Sequence, residues 1–174
     1  MLTLTECWVP GRPKTKGSLD VVNASTGHVR ENVAGSARWR LLVADAVRRD
    51  RARRFGADAR PSVFPVAVRC AFWLPPPANP AGEWRDAPIH TRAGDVDKLA
   101  RNVLDALAND AANAAMNGGA YVNDVQVCDL RAVKLLATPP GLLPGLLLSV
   151  WELAPAYLDD EARTFTHLRA LVTA

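Results

Sequence analysis

Apolar and polar positions along the chain fall into two periods. Val66, Val68, Cys70, Phe72 and Leu74 alternate with Ala67, Arg69, Ala71 and Trp73, the period-two pattern of a strand, and Pro75 to Pro77 stop it. Trp39, Leu42, Val43, Ala46 and Val47 recur at helical spacing and predict an amphipathic helix from about Val33 to Arg53, with Trp39 as a core anchor. A second helical stripe, Leu99, Val103, Ala106 and Leu107, follows the segment GDVD at 94–97. Leu2 to Val9 predicts a first strand ended by Pro10 and Gly11. Val125 to about Leu136 and Leu146 to Leu153 predict two more, divided by the turn TPPGLLPG. From Asp159 onward an acidic start and apolar spacing through Ala162, Phe165, Leu168 and Val172 predict a C-terminal helix. The order strand, helix, strand, helix, strand, strand, helix implies an α+β domain with a mixed sheet packed by helices.

Composition narrows the class. With 174 residues, 49% of them hydrophobic, the chain fits one domain over 1–174, with its core at about 1–153 and an extension at 154–174. The N-terminus has no long apolar segment after a basic head, so neither a signal peptide nor a membrane span is expected. Cys7, Cys70 and Cys128 are far apart and lack C-x-x-C spacing, which reads as buried thiols in a reducing cytoplasm. His28, His90 and His167 are scattered, against a zinc site.

The net charge of +3 conceals an asymmetry. Residues 1–60 hold 12 Lys/Arg against 6 Asp/Glu, a local +6, and residues 61–174 hold 9 against 12, a local −3. A basic first third suits a polyanion, or else a solvated Arg-rich helix. Within it, GRPKTKGSLD sets Arg12, Lys14 and Lys16 among turn formers, a loop able to reach phosphate oxygens or simply to face water. The long stretch PPPANPAGEWRDAPIHTRAG carries Trp84, Arg85 and Arg92, which could touch nucleic acid or belong to a plain insertion.

The chemistry centres on acids. Asp95 and Asp97 flank one residue just before a helix, so on an extended segment both face one volume, and Asp97 is expected at or beside the N-cap. A capping aspartate with a solvated neighbour is the plain alternative. Downstream, a Gly turn precedes a strand with Asp124 near its start, and a strand returning beside the D-x-D would complete a group of three. Three converging carboxylates repel one another unless cations or protons lie between them, and Mg²⁺ matches an oxygen ligand set.

The combination of GDVDKLARNVLDAL with VNDVQV resembles the RusA family of Holliday-junction resolvases, including phage-encoded members. The resemblance implies an endodeoxyribonuclease that cuts four-way junctions and related branched DNA. It implies catalytic, metal-binding aspartates at Asp95, Asp97 and Asp124, a functional basic residue at Arg101, and Mg²⁺ as cofactor, with Mn²⁺ as a substitute. It also implies DNA contacts from Arg12, Lys14, Lys16, Lys98 and Arg101, and a homodimer whose two-fold symmetry matches a junction cut on two strands.

The chain departs from the pattern in three places. Arg101 stands where lysine is expected, keeping the charge but not a transferable proton. Asn123 replaces the first acid of a D-D pair, and the connection NDAANAAMNGG is long, reading as an extended helix end and a loop. Arg101 can clamp a phosphate or pair with Asp97 or Asp105 on the helix surface, with Asp105 as its orienting partner. Two other functions remain open: a DNA-binding protein without catalysis, and a D-x-D metal-dependent nucleotide-sugar transferase.

Overall fold

The computed structural model describes residues 1–17, 19–23, 28–31, 33–76, 94–109, 118–137 and 143–154. Strand β1 (Leu2–Pro10) leads through a hairpin of β2 (Leu19–Asn23) and β3 (His28–Glu31) to helix α1 (Ser36–Phe55). Then follow β4 (Val66–Leu74), α2 (Val96–Leu107), β5 (Val127–Leu136) and β6 (Gly145–Glu152). The fold is α+β with a mixed four-stranded sheet in the order β1-β6-β4-β5. The hairpin has no counterpart in the sequence reading, because strands of five and four residues are too short to establish a period. The expected C-terminal helix, nearly all of the long loop and residues 138–142 of the TPPGLLPG turn lie outside the described residues.

Alternation in β4 sends Val66, Val68, Cys70, Phe72 and Leu74 to one face, where Leu146, Leu148 and Val150 of β6 join them. Both helices close this face: Val43 and Val47 from α1 and Leu99, Val103 and Leu107 from α2 belong to the same buried cluster. Truncating Leu99 or Leu107 to Ala costs about 2–5 kcal/mol by lost burial and the cavity left behind. Trp39 is buried among them as expected, whereas Leu42 is largely exposed. Cys70 is buried, Cys7 half-buried, and Cys128 exposed, correcting the expectation of three buried thiols. Burial pushes the Cys70 thiol up to about 12 and the Cys7 thiol up to about 11.

Strand direction positions everything that follows. β1 and β4 each run antiparallel to β6, but β4 and β5 pair in parallel, from Val66 beside Val127 to Leu74 beside Leu136. Parallel neighbours need a crossover, so α2 carries the chain from the far end of β4 back to the near end of β5. The helix ends at Leu107, short of the extension expected, because Ala108 turns extended and bridges to Tyr121.

The Arg-rich helix is less of a free cation than its composition suggests. Arg51 is buried, donating to the carbonyls of Arg60 (2.7 Å) and Leu4 (3.4 Å) and stacking on Phe55. Asp50 is buried as well, accepting from Thr5 Oγ1 (2.9 Å), the Glu6 N–H (2.7 Å), Arg54 Nε (2.8 Å) and Arg53. Arg48 and Arg49 pair with Asp45 on the helix surface. Much of the local charge thus fastens α1 to β1 and to itself. No described helix is long and apolar enough to cross a membrane.

Candidate active site and nucleic-acid interface

The D-x-D segment forms the entry to α2. Gly94 adopts a left-handed conformation at φ 57°, and a Cβ there would press on Thr15 Cγ2, so the position favours glycine on two counts. Asp95 is extended and occupies the N-cap, without a side-chain capping bond, and Asp97 lies inside the first turn. The expected N-cap at Asp97 is therefore displaced by two residues, since the helix begins as soon as the chain leaves Gly94. Both carboxylates still stand at the positive end of the helix. Asp95 is 66% exposed and pairs with Lys98 Nζ at 2.9 Å, and that ammonium holds its carboxyl below the usual carboxylate range, helped by Lys134. Lys134 also donates to the Gly94 carbonyl at 2.9 Å, tying the end of β5 to the start of α2.

The basic loop is bolted to the same helix. Lys16 N–H donates to the Lys98 carbonyl (3.0 Å), and the fully buried Asn102 donates from Nδ2 to the Lys14 carbonyl (2.7 Å) while accepting from Arg40 (3.2 Å). Asp105 pairs with Lys16 at 2.7 Å and lies 3.6 Å from Arg40. It is accordingly not the orienting partner of Arg101, which stands exposed on α2. Arg12, Lys14 and Lys16 thus share one end of the molecule with Asp95, Asp97, Lys98 and Arg101. Asn102 was not singled out from the sequence; a lone Asn within an apolar helical face is the signal that could have marked it, because a buried amide must find partners.

Asp124 is elsewhere. It opens a single 3-10 turn, Asp124–Gln126, immediately before β5. Asn123 caps this turn, accepting from the Val125 N–H, while Gln126 accepts from the Val122 and Asn123 N–H groups and donates to the carbonyls of Ser62 and Phe64. So Asn123, where the family pattern has an acid, serves the backbone, and Gln126 locks the turn that presents Asp124. An N-x-x-Q spacing is a capping-box signal that was legible in the sequence.

Two rulers give the separation. Tyr121, three residues before Asp124, donates to the Leu104 carbonyl at the far end of α2, and the twelve residues of α2 span about 18 Å. Lys134, beside Gly94, lies seven residues along β5 from Val127, or roughly 23 Å. The expected convergence of Asp124 on Asp95 and Asp97 within one chain is therefore overturned. In a β4-α2-β5 crossover, the residue entering the helix and the residue entering the next strand occupy opposite ends of the sheet. Among the described residues no group of three or more His, Cys, Asp or Glu side chains is placed to hold a metal ion.

A family model described as endodeoxyribonuclease RusA matches residues 10–143. The chain belongs to that family. The match takes in the basic loop, the D-x-D, α2 and the turn before β5, and stops short of β6. RusA membership carries nuclease activity of the Holliday-junction-resolvase kind, a hydrolysis of DNA, and with it a place among proteins of DNA recombination. No curated protein matches the chain at a significant level. Among the described residues, the mixed sheet does not repeat the doubly wound arrangement that a nucleotide-sugar transferase would use.

Proposed function

We propose that this protein is a structure-selective endodeoxyribonuclease that resolves Holliday junctions and related branched DNA as a homodimer. The observation that supports this most is the grouping, at one end of α2, of the D-x-D carboxylates with the basic loop in a member of the RusA family. Arg12, Lys14 and Lys16 track phosphates; Lys98 and Arg101 extend the same basic rim along the helix, and Arg101 stabilises charge developing on the scissile phosphate.

One chain does not fit a three-carboxylate cation site, because Asp124 is a helix length away. A second chain supplies what is missing. Among the described residues β5 pairs on one side only, with β4, so its other edge is open to a partner strand. A two-fold axis through that edge sets the strands antiparallel, so the start of one β5 meets the end of the other. Asp95 and Asp97 would then share a volume with Asp124 of the partner subunit. These three carboxylates would hold Mg²⁺ or Mn²⁺, which when bound polarises water and offsets negative charge on the phosphate. The side chains themselves orient the DNA: the loop grips the backbone on one side of the rim while Asp97 and Arg101 face the phosphate between them.

Mixing tests both chemistry and assembly. Asp95→Asn, Asp97→Asn and Asp124→Asn should each abolish junction cutting while leaving the fold intact. Re-annealing Asp95→Asn chains with Asp124→Asn chains should restore single-strand nicking at about a quarter of the wild-type number of sites, since half the dimers are mixed and each mixed dimer regains one site. Continued silence of the mixture, with single variants inactive, places all three acids in one chain. Full activity of the single variants removes the nuclease site altogether. The separation of the acids in one chain also favours a second reading, a branched-DNA binder without catalysis, for which wild-type protein binds a synthetic four-way junction and leaves it uncut in either cation.

A further inference from the structure

Both described helices lie on one face of the sheet, and no other described element covers the opposite face. That face is ordered in rows across β1-β6-β4-β5. Nearest the start of β6 come Gly145, Trp73 and Leu135, then Trp8, Leu147, Ala71 and Val133. The next row is charged, with Glu6, Arg69 and Arg131, and beyond it lie Trp151 and Asp129, the latter paired with Arg131 at 3.3 Å. The Trp8 ring passes over Gly145, whose missing side chain makes the room: a Cβ there would collide with the ring. Trp8 also packs edge-on to Trp73 at 5.7 Å between centroids, and Arg69 stacks on Trp151 at 5.3 Å. Trp8, Leu147 and Val133 remain 38%, 41% and 50% exposed, a contiguous apolar patch of the kind that marks a covered surface.

We propose that this face is the seat of the chain's own C-terminal segment, residues 158–174, packed as an amphipathic helix. Three features single out this occupant. The described chain leaves β6 at Ala154, beyond the row of Trp151 and Asp129, so a returning segment crosses that row and the Arg69–Arg131 row before it reaches the apolar patch. Its order matches: Asp159, Asp160 and Glu161 pass the Arg69–Arg131 row, and then Ala162, Phe165, Leu168 and Val172 lie over Leu147, Val133 and Trp8. Its length matches as well, since seventeen helical residues span roughly 25 Å, against roughly 26 Å for the eight residues of β6.

The test uses the full-length protein with Cys7→Ser and Cys128→Ser as background. Leu147→Cys with Phe165→Cys should form a cross-link within one chain at low protein concentration. Phe165→Asp should expose the face, with stronger acrylamide quenching and a red shift of tryptophan emission, because three of the five tryptophans lie there. Cross-links between chains would overturn the proposal in favour of a second copy. Preferential joining of Leu147→Cys to Trp84→Cys would overturn it in favour of the segment between β4 and α2. Absence of the intrachain link together with unchanged quenching leaves the face open to solvent and overturns it as well. Should Phe165→Asp fail to fold, the cysteine pair alone decides.

Discussion

Asn102 has no exposed surface, yet its amide serves the loop across from it and not the helix that carries it. By holding the Lys14 carbonyl and the Arg40 guanidinium, it fastens the backbone of the basic loop to the helix that carries Asp97. Asn102→Ala leaves a buried carbonyl without its donor, and the expected cost is about 1–2 kcal/mol of stability. If the loop grips DNA, the same change should also weaken junction binding and flatten its salt dependence, because Lys14 and Lys16 leave their places. Denaturant titration and binding across a salt series check the two parts separately; lost stability with an unchanged salt slope restricts Asn102 to folding. At this scale the acids and the basic loop were legible in the sequence, since charge and turn chemistry are local. The partners of Asn102 and Asp105, and the Ser62 and Phe64 carbonyls that Gln126 reaches, were not, because each of these contacts crosses a fold that local pattern does not describe.

Among the elements, α1 depends on one carboxylate. Burial raises the Asp50 carboxyl, but the Glu6 N–H, Arg54 and Thr5 together outweigh it and hold the group below its ordinary 3.8. A depressed carboxylate contributes stability that is full above its unfolded value and is lost as pH falls through the folded one. Asp50→Asn should therefore cost about 2–3 kcal/mol near neutrality, less than a wholly buried ion pair because Arg53 and Arg54 reach solvent. The difference from wild type should shrink below pH 3.8, and thermal melts of both proteins at neutral and acid pH measure it. Helix α2 and strand β5 were each visible in the sequence, but their relative direction was not. Periodicity reports which residues share a face of one element, and it is blind to whether the next strand runs with or against the last.

For the whole molecule, the open edge of β5 carries the consequence. Cys128 and Leu130 are exposed along it, and lysines at both positions should oppose pairing on the order of 1 kcal/mol at each. Cys128→Lys with Leu130→Lys is expected to sediment as a monomer at concentrations where wild type self-associates, and to lose junction cleavage in step while keeping its far-ultraviolet dichroism. A cleaving monomer ends the two-chain site.

The sequence by itself determined the four strands of the mixed sheet and the two helices packed on it, the α+β class, the family and the identity of the acidic and basic groups. All of these follow from local composition, period and motif. Only the tertiary structure decided that β4 and β5 run parallel, and therefore that Asp124 sits at the opposite end of the sheet from Asp95 and Asp97. A crossover connection has to traverse the length of its helix, and no pattern along the chain records which way that traverse is made.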